Sequence, residues 1–467
     1  FKLQIKYLSF FFGIVSILSF FNILYSYYFN LYLNLDTYYF TLLASSILFI
    51  TFFKFGKYDI KSNIFQRILT IFLGYLLIPL VLSIPFYFSI YNLTFSNSFF
   101  EAISGFTSTG FTVFENIKLI DQSLIIWRSS TQWIGGLYFL FSIIYLIDIY
   151  DDSFKKTLTN FISFNSSEIL KQAAKIFILY SSLTILIFIV LNFFSIRTFD
   201  SLNLALTIIS SGGFLPVNEL STIIKENTQI IIFSLLMLFS FFSLFFSYNL
   251  IFLRKKNVNF FYEDLHLFVY LVIVTTIFFL FFSFNYDFLI NLFAIISSMS
   301  NIGFSLSSGQ ENLNFIYLIL VIIGGSFFST SSGLRFIKIY SLFKFSLNQI
   351  LSFSRPKNVF MNKLIFTKIN FNLDEINKYF LTIIIFILSL FILTSLLSLS
   401  GITFVNSFKL AILTLMNTVN SSIYGLKEFD FYNLQLFSKY CLIFFMIVGR
   451  IELLTILLLI KKFLFKN

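Results

Sequence analysis

Apolar runs of two lengths alternate along this chain, and that alternation limits the possible folds more than any single motif. In windows of about 19 residues, ten runs read as membrane spans: 7–29, 38–53, 68–90, 124–147, 174–196, 230–253, 267–284, 315–340, 379–399 and 440–460. Between the members of the last four pairs lie shorter runs, 98–107, 201–210, 288–300 and 407–420. A helix needs ~20 apolar residues to cross a bilayer, so these read as re-entrant half-helices. Composition closes off the soluble alternative. A 54.6 kDa chain that is 58% hydrophobic and 11% charged, with a mean hydropathy of +0.90, lacks the polar surface of a soluble globule. The expected fold is an all-α polytopic membrane protein with an N-terminal pair of helices followed by four span–half-helix–span repeats. The first run is expected to be retained, because it is too long for a signal core and no small-residue cleavage site follows. A single cysteine, Cys441, and a single histidine, His266, exclude an internal disulfide, a cysteine metal cluster and bis-histidine haem ligation.

Each half-helix run is followed by glycine and a large apolar residue. The four stretches are Thr107-Ser108-Thr109-Gly110-Phe111, Ser211-Gly212-Gly213-Phe214, Asn301-Ile302-Gly303-Phe304 and Ile423-Tyr424-Gly425-Leu426. Glycine lets a backbone turn so that carbonyl oxygens face an axis. Four such loops around one axis can replace the water shell of a dehydrated cation. The half-helices would aim their partly negative C-terminal ends at it. Backbone carbonyls, not particular side chains, would supply the ligands, which accounts for the variable residues before each glycine. The plain alternative is four tight turns between helices.

Two further features sit inside apolar runs. Arg450 lies near the middle of the last run, where a lone arginine costs about 2.5–3.5 kcal/mol unless it faces an interior or a wet cavity. Gly324, Gly325, Ser326, Ser329, Thr330 and Gly333 interrupt the run 315–340, and irregular backbone at that depth must be buried in protein or line water.

Lysine and arginine set the expected orientation. Most of the 32 basic residues fall on one side if both termini are cytoplasmic, among them Lys54, Lys57, Lys155, Lys156, Arg254, Lys255, Arg335, Lys338, Lys461 and Lys462. The four glycine loops then all face outward. The net charge of +11 is explained by these loops and needs no nucleic acid. The longest, from Arg335 to Lys378, could dock a cytoplasmic subunit or express topology alone. Glu101, Glu115, Asp121 and Glu219 on the outer side could gather cations or be ordinary solvated loop charges. His266, at the cytoplasmic edge of a span, is given no role.

From about residue 68 to 465 these features resemble the Trk/Ktr/HKT superfamily of potassium transporters. Phe99-Phe100-Glu101-Ala102-Ile103-Ser104-Gly105-Phe106 leading into Thr107–Gly110 is similar to the family's first pore helix and filter. Trp127-Arg128-Ser129-Ser130-Thr131-Gln132-Trp133-Ile134-Gly135-Gly136 resembles its next span, and Gly324-Gly325-Ser326 through Gly333 its broken third-repeat segment. Gly449-Arg450-Ile451-Glu452-Leu453-Leu454-Thr455 is similar to the fourth repeat, except that the family has glycine where Glu452 stands. The extra N-terminal pair resembles the Trk branch, whereas Gly425-Leu426 is closer to the Ktr consensus.

The resemblance implies a central pore for K⁺ at filter backbone carbonyls, with no organic cofactor and Na⁺ as a possible coupling or modulating ion. It implies a gate formed by the 324–333 segment with Arg450 beneath the filter. It also implies an N-terminal pair over 1–60, repeats over 61–160, 161–260, 261–355 and 356–467, a homodimer in the cytoplasmic membrane, and a peripheral nucleotide-binding ring. The chain itself has no P-loop pattern, so it is not expected to be an ATP-hydrolysing enzyme. Two readings from other classes compete. A carrier of an organic solute would need coupling carboxylates in the spans, which hold almost none apart from Asp148 and Glu452. A membrane enzyme would need clustered histidines, cysteines or paired carboxylates.

Overall fold

The structure is a computed structural model that describes residues 6–56, 64–146, 169–251, 262–282, 288–306, 313–353, 373–426 and 429–451. Asp148, Glu452, the middle of the basic loop (354–372) and the last run beyond 451 lie outside the described residues. The N-terminal pair is α1 (Lys6–Tyr28) and α2 (Leu35–Phe55), packed as a hairpin whose α1 arm also lies on α6. A buried hydrogen bond, Ser19 Oγ to the carbonyl of Tyr38 at 2.7 Å, ties the two arms. Only Leu35, Thr37, Tyr38, Thr41 and Ser45 of α2 are buried, so most of that helix presents phenylalanine, leucine and isoleucine outward.

Four units follow. The first is α3 (Ile64–Leu82) with a single extra turn α4 (Ile84–Tyr87), half-helix α5 (Phe95–Phe106) and α6 (Gln122–Tyr145). The second is α7 (Ile169–Phe193), half-helix α8 (Thr198–Ile209), α9 (Asn227–Phe241) and α10 (Leu244–Ile251). The third is α11 (Tyr262–Phe282), half-helix α12 (Phe288–Met299), α13 (Asn314–Ile322) and α14 (Phe336–Ser352). The fourth is α15 (Leu373–Leu399), half-helix α16 (Phe404–Leu415) and α17 (Leu436–Ile451). Among the described residues, six helices have the length and apolarity to cross a membrane. The all-α polytopic class read from the sequence therefore stands.

The arrangement is cyclic. The second span of each unit packs on the half-helix of the next: α6 on α8, α9 on α12, α13 on α16, and α17 back on α5. Units one and three consequently face each other across an axis, as do two and four.

One run departs from its expected form. The stretch 230–253 is not a single span; it breaks at Phe242-Ser243 into α9 and α10. The break is stabilised from outside. The Asp264 carboxylate accepts from the Ser243 N–H at 2.9 Å and from its hydroxyl at 2.7 Å, and the Leu244 N–H donates to the Phe328 carbonyl at 2.9 Å. Backbone groups freed by a broken helix persist in an apolar surround only when re-satisfied in this way.

Candidate functional site

All four half-helices are 12 residues long and end in the same turn. Just beyond each, one non-glycine residue adopts a left-handed backbone: Ser108 (φ 58°), Ser211 (φ 54°), Asn301 (φ 58°) and Asn417 (φ 46°). That conformation costs an ordinary residue about 1–2 kcal/mol, least for a short polar one such as asparagine. The next N–H then folds back onto the half-helix. Thr109 donates to the Ser104 carbonyl at 2.9 Å, Gly212 to Thr207 at 2.8 Å, Ile302 to Ser297 at 3.1 Å and Thr418 to Leu413 at 2.9 Å. Four repetitions of one strained turn around a common axis are what a positioned functional loop requires.

This register corrects the fourth loop. The segment Ile423-Tyr424-Gly425-Leu426 is not the counterpart of the other three. It lies eight residues past the end of α16, where Gly425 (φ 69°) closes a short 3-10 turn, Ser422–Tyr424. Tyr424 is wedged against the third half-helix, its hydroxyl donating to Ser298 Oγ at 3.2 Å. The equivalent loop is Asn417-Thr418-Val419.

Contacts join neighbouring loops into a closed girdle. Ser211 Oγ donates to the Ser300 carbonyl, Asn301 Nδ2 to Thr418 Oγ1 at 3.3 Å, and Asn417 Nδ2 to Thr109 Oγ1 at 3.0 Å. The fourth junction is backbone on backbone: a Cβ added to Gly110 would stand 2.7 Å from the Gly213 Cα. Close approach also explains two glycines of the spans. A Cβ at Gly135 would run into the Phe106 carbonyl, and one at Gly449 into the Leu415 carbonyl, so each lets a span touch the end of its own half-helix.

Behind the first loop lies a buried ion pair. Arg128 Nε and Glu101 Oε1 are 2.8 Å apart, and the carboxylate also accepts from the Val113 N–H at 2.9 Å and Thr112 Oγ1 at 3.1 Å. The guanidinium lies 4.3 Å from the centroid of the Phe214 ring, next to the second loop. Glu101 is thus a scaffold for the loops and not the solvent-facing charge the sequence allowed. Asp121 sits at the start of α6, held by Ser123 Oγ at 2.8 Å.

On one side of the girdle opens a cavity of about 820 Å³ lined by Gly110, Gly213, Gly303, Glu115, Glu219 and Asp430, among others. Burial works against the Asp430 carboxylate. Hydrogen bonds from the Asn433 side chain and from the N–H groups of Asn433 and Tyr432, with Lys439 nearby, overcome it and hold its pKa below the usual value.

On the opposite side the non-helical segment 323–335 lies directly under the loops. It touches three of them or their half-helices: Thr330 Oγ1 donates to the Ile209 carbonyl at 2.8 Å, Ser331 Oγ to Asn301 Oδ1 at 2.8 Å, and Ser332 Oγ to Asn417 Oδ1 at 3.5 Å. Its own N–H groups reach outward, Ser326 to the Phe241 carbonyl at 3.0 Å, Ser331 to Ser240 at 3.1 Å and Phe327 to Glu263 Oε1 at 2.9 Å. Gly324 and Gly333 lie back to back where the segment leaves and re-enters helix, beside the bridge between Ile323 and Leu334. Arg450, 1% exposed, donates to Ser332 Oγ and, at 3.4 Å, to Ser108 Oγ, and lies 4.1 Å from the Phe139 ring centroid.

Sequence reasoning missed a second arginine here. Arg335, counted among the cytoplasmic loop charges, is 3% exposed. Its Nη1 donates to the Ser326 and Ser331 carbonyls at 3.0 Å each and to Ser329 Oγ at 3.3 Å. The signal available was its position two residues after Gly333, inside the interrupted run.

These features define a class: a polytopic helical membrane protein whose four pseudo-equivalent re-entrant loops surround an axis that a polar segment crosses. No protein-family model matches the chain. Over 424 residues it is 24% identical to an uncharacterized cation transporter of Methanocaldococcus jannaschii, covering 85% of this chain and 82% of that one. It is 24% identical over 423 residues to the Trk system potassium uptake protein TrkH of Escherichia coli, covering 86% of each. The crystal structure of the potassium transporter TrkH from Vibrio parahaemolyticus superposes with a TM-score of 0.82 at 19% identity, over 98% of this chain and 97% of that one. The chain is thus similar in sequence to Trk-system membrane proteins and shares the fold of that structure over nearly all of its length.

Proposed function

We propose that this protein mediates K⁺ uptake across the cytoplasmic membrane, along the axis between the four loops and down the electrochemical gradient. The observation that carries the reading is the girdle of loops with the half-helix C-termini directed into it. The carbonyl ends of the half-helices bear partial negative charge, and loop carbonyls can replace water around a monovalent cation at near-balanced cost. Carboxylates at Glu115, Glu219 and Asp430 in the cavity would raise the local cation concentration, with the loops and this cavity facing outward and both termini cytoplasmic. Segment 323–335, with Arg450 beneath the loops, acts as the gate: its displacement would clear the axis, and the fixed arginine charge shortens the residence of K⁺ below the filter. The similarity to a TrkH uptake protein over 86% of each chain supports K⁺ as the cargo, with Na⁺ as a candidate coupling ion. A homodimer regulated by a cytoplasmic nucleotide-binding ring completes the proposal, supported by the kinship with Trk systems.

The test is growth on low-K⁺ medium of a bacterium lacking its own K⁺ uptake systems. Expression of this chain, alone or with a candidate nucleotide-binding partner, restores growth, and Gly110→Asp abolishes the rescue. No rescue in either case, with the protein present in the membrane, would sink the proposal in favour of a solute carrier. Selectivity has its own measurement: Gly110→Ser lowers the K⁺/Na⁺ uptake ratio, and an unchanged ratio would mean that this loop does not select the ion.

A further inference from the structure

Two residues beyond each left-handed turn stand Gly110, Gly213, Gly303 and Val419. Three repeats therefore bring bare backbone to this level, and the fourth brings an isopropyl group. The backbone permits it. Gly110 (φ 83°) and Gly303 (φ 81°) are left-handed, which disfavours any side chain, whereas position 419 is not left-handed.

The side chain of Val419 does not turn away. A Cβ added to Gly213 would collide with the Val419 Cβ and lie 2.9 Å from each of its methyl groups. A Cβ added to Gly303 would lie 3.0 Å from one of those methyls. Gly303 belongs to the adjacent unit, but Gly213 belongs to the unit opposite, because the second and fourth units face each other across the ring. The isopropyl group therefore reaches over the axis. Val419 is only 9% exposed, yet it is not part of the continuous apolar core that holds Leu415, Met416 and Ile423. It also lines the floor of the cavity.

We infer that Val419 is a dry constriction across the filter that sets the rate of ion passage in this protein. The inference rests on the proposed K⁺ uptake. Methyl groups offer a cation no ligand in exchange for its water, so an ion must pass while the valine rotates or the fourth loop shifts. Hydrophobic constrictions obstruct ions in this manner. Passage should then depend on the size of this one side chain, in steps.

The experiment is initial ⁸⁶Rb⁺ and K⁺ uptake in cells lacking other K⁺ uptake systems, normalised to protein in the membrane, for wild type, Val419→Gly, Val419→Ala and Val419→Leu. Uptake rises in the order Leu, Val, Ala, Gly, with Gly about tenfold above wild type, the equivalent of ~1.4 kcal/mol of barrier. Misfolding would lower the glycine and alanine variants, so it cannot imitate this order. A second measurement uses Val419→Cys in a Cys441→Ser background. A small cationic thiol reagent added from outside blocks its uptake and leaves the Cys441→Ser parent unaffected. Uptake independent of side-chain size, or a cysteine variant that the reagent does not block, overturns the constriction while leaving K⁺ uptake standing. A wild type that takes up no K⁺, or uptake that survives Gly110→Asp, would instead overturn the function on which it rests.

Discussion

Arg128 and Glu101 meet with 1% and 0% of their side chains exposed, in a part of the protein where an unmatched charge has no water to turn to. Such a pair adds little net stability, but removing one partner strands the other at a cost of about 3–5 kcal/mol. Glu101→Gln is therefore expected to lower the thermal unfolding temperature in detergent markedly, and Glu101→Gln with Arg128→Met to recover most of the loss. A single variant as stable as wild type would show that the pair is not what holds Thr112 and Val113 behind the first loop. The sequence contained both residues, in runs that resembled family motifs, yet Glu101 could be read as a mouth carboxylate. Nothing local to it reports a guanidinium 27 positions away. Arg335 was misplaced for the same reason, since a basic residue at the end of an interrupted run looks cytoplasmic until the carbonyls it bonds are known.

At the scale of elements, half-helix positions were legible because length alone marks them. A run too short to span but long enough to be helical has few uses in a membrane, and each expected run overlaps its observed helix. The fourth loop was misread because the glycine at Gly425 was followed when the half-helix should have been measured. Twelve residues from Phe404 end at Leu415, and Asn417 then matches Asn301 as a residue tolerant of the left-handed turn. The break in the second unit was not legible, since Phe242-Ser243 is apolar-compatible and only Asp264, Phe328 and the inserted segment make it a break. That segment is held both by hydrogen bonds and by the burial of Phe327 and Phe328, the latter stacked on Phe245. Arg335 clamps three of its oxygens, each bond to a charged donor contributing about 1.5–3 kcal/mol. If segment 323–335 is the gate proposed above, Arg335→Met is expected to loosen it and raise basal K⁺ uptake severalfold, as measured by ⁸⁶Rb⁺ influx. Unchanged influx would mean that the segment is not the barrier Arg335 holds in place.

For the molecule as a whole, the axis exists only because four units close on themselves, and the closing joint is α17 against α5. Gly449 lets α17 approach the end of the fourth half-helix, so Gly449→Leu is expected to abolish uptake while the protein still reaches the membrane. Phe444→Leu, on the exposed face of the same helix, should change stability by less than about 0.5 kcal/mol. Retention of uptake in the glycine variant would show that α17 can stand off from the end of the fourth half-helix without loss of function. The joint has a consequence for how the protein is made. Helices leave the ribosome in order, so α1 to α16 enter the bilayer before the partner that completes the ring has been synthesised. A nascent chain held at that stage carries all four half-helices but lacks the span that joins the fourth unit to α5. Among the described residues, the enclosure of the axis thus waits for the last helix, so a chain cut short before α17 is expected to have no closed ring.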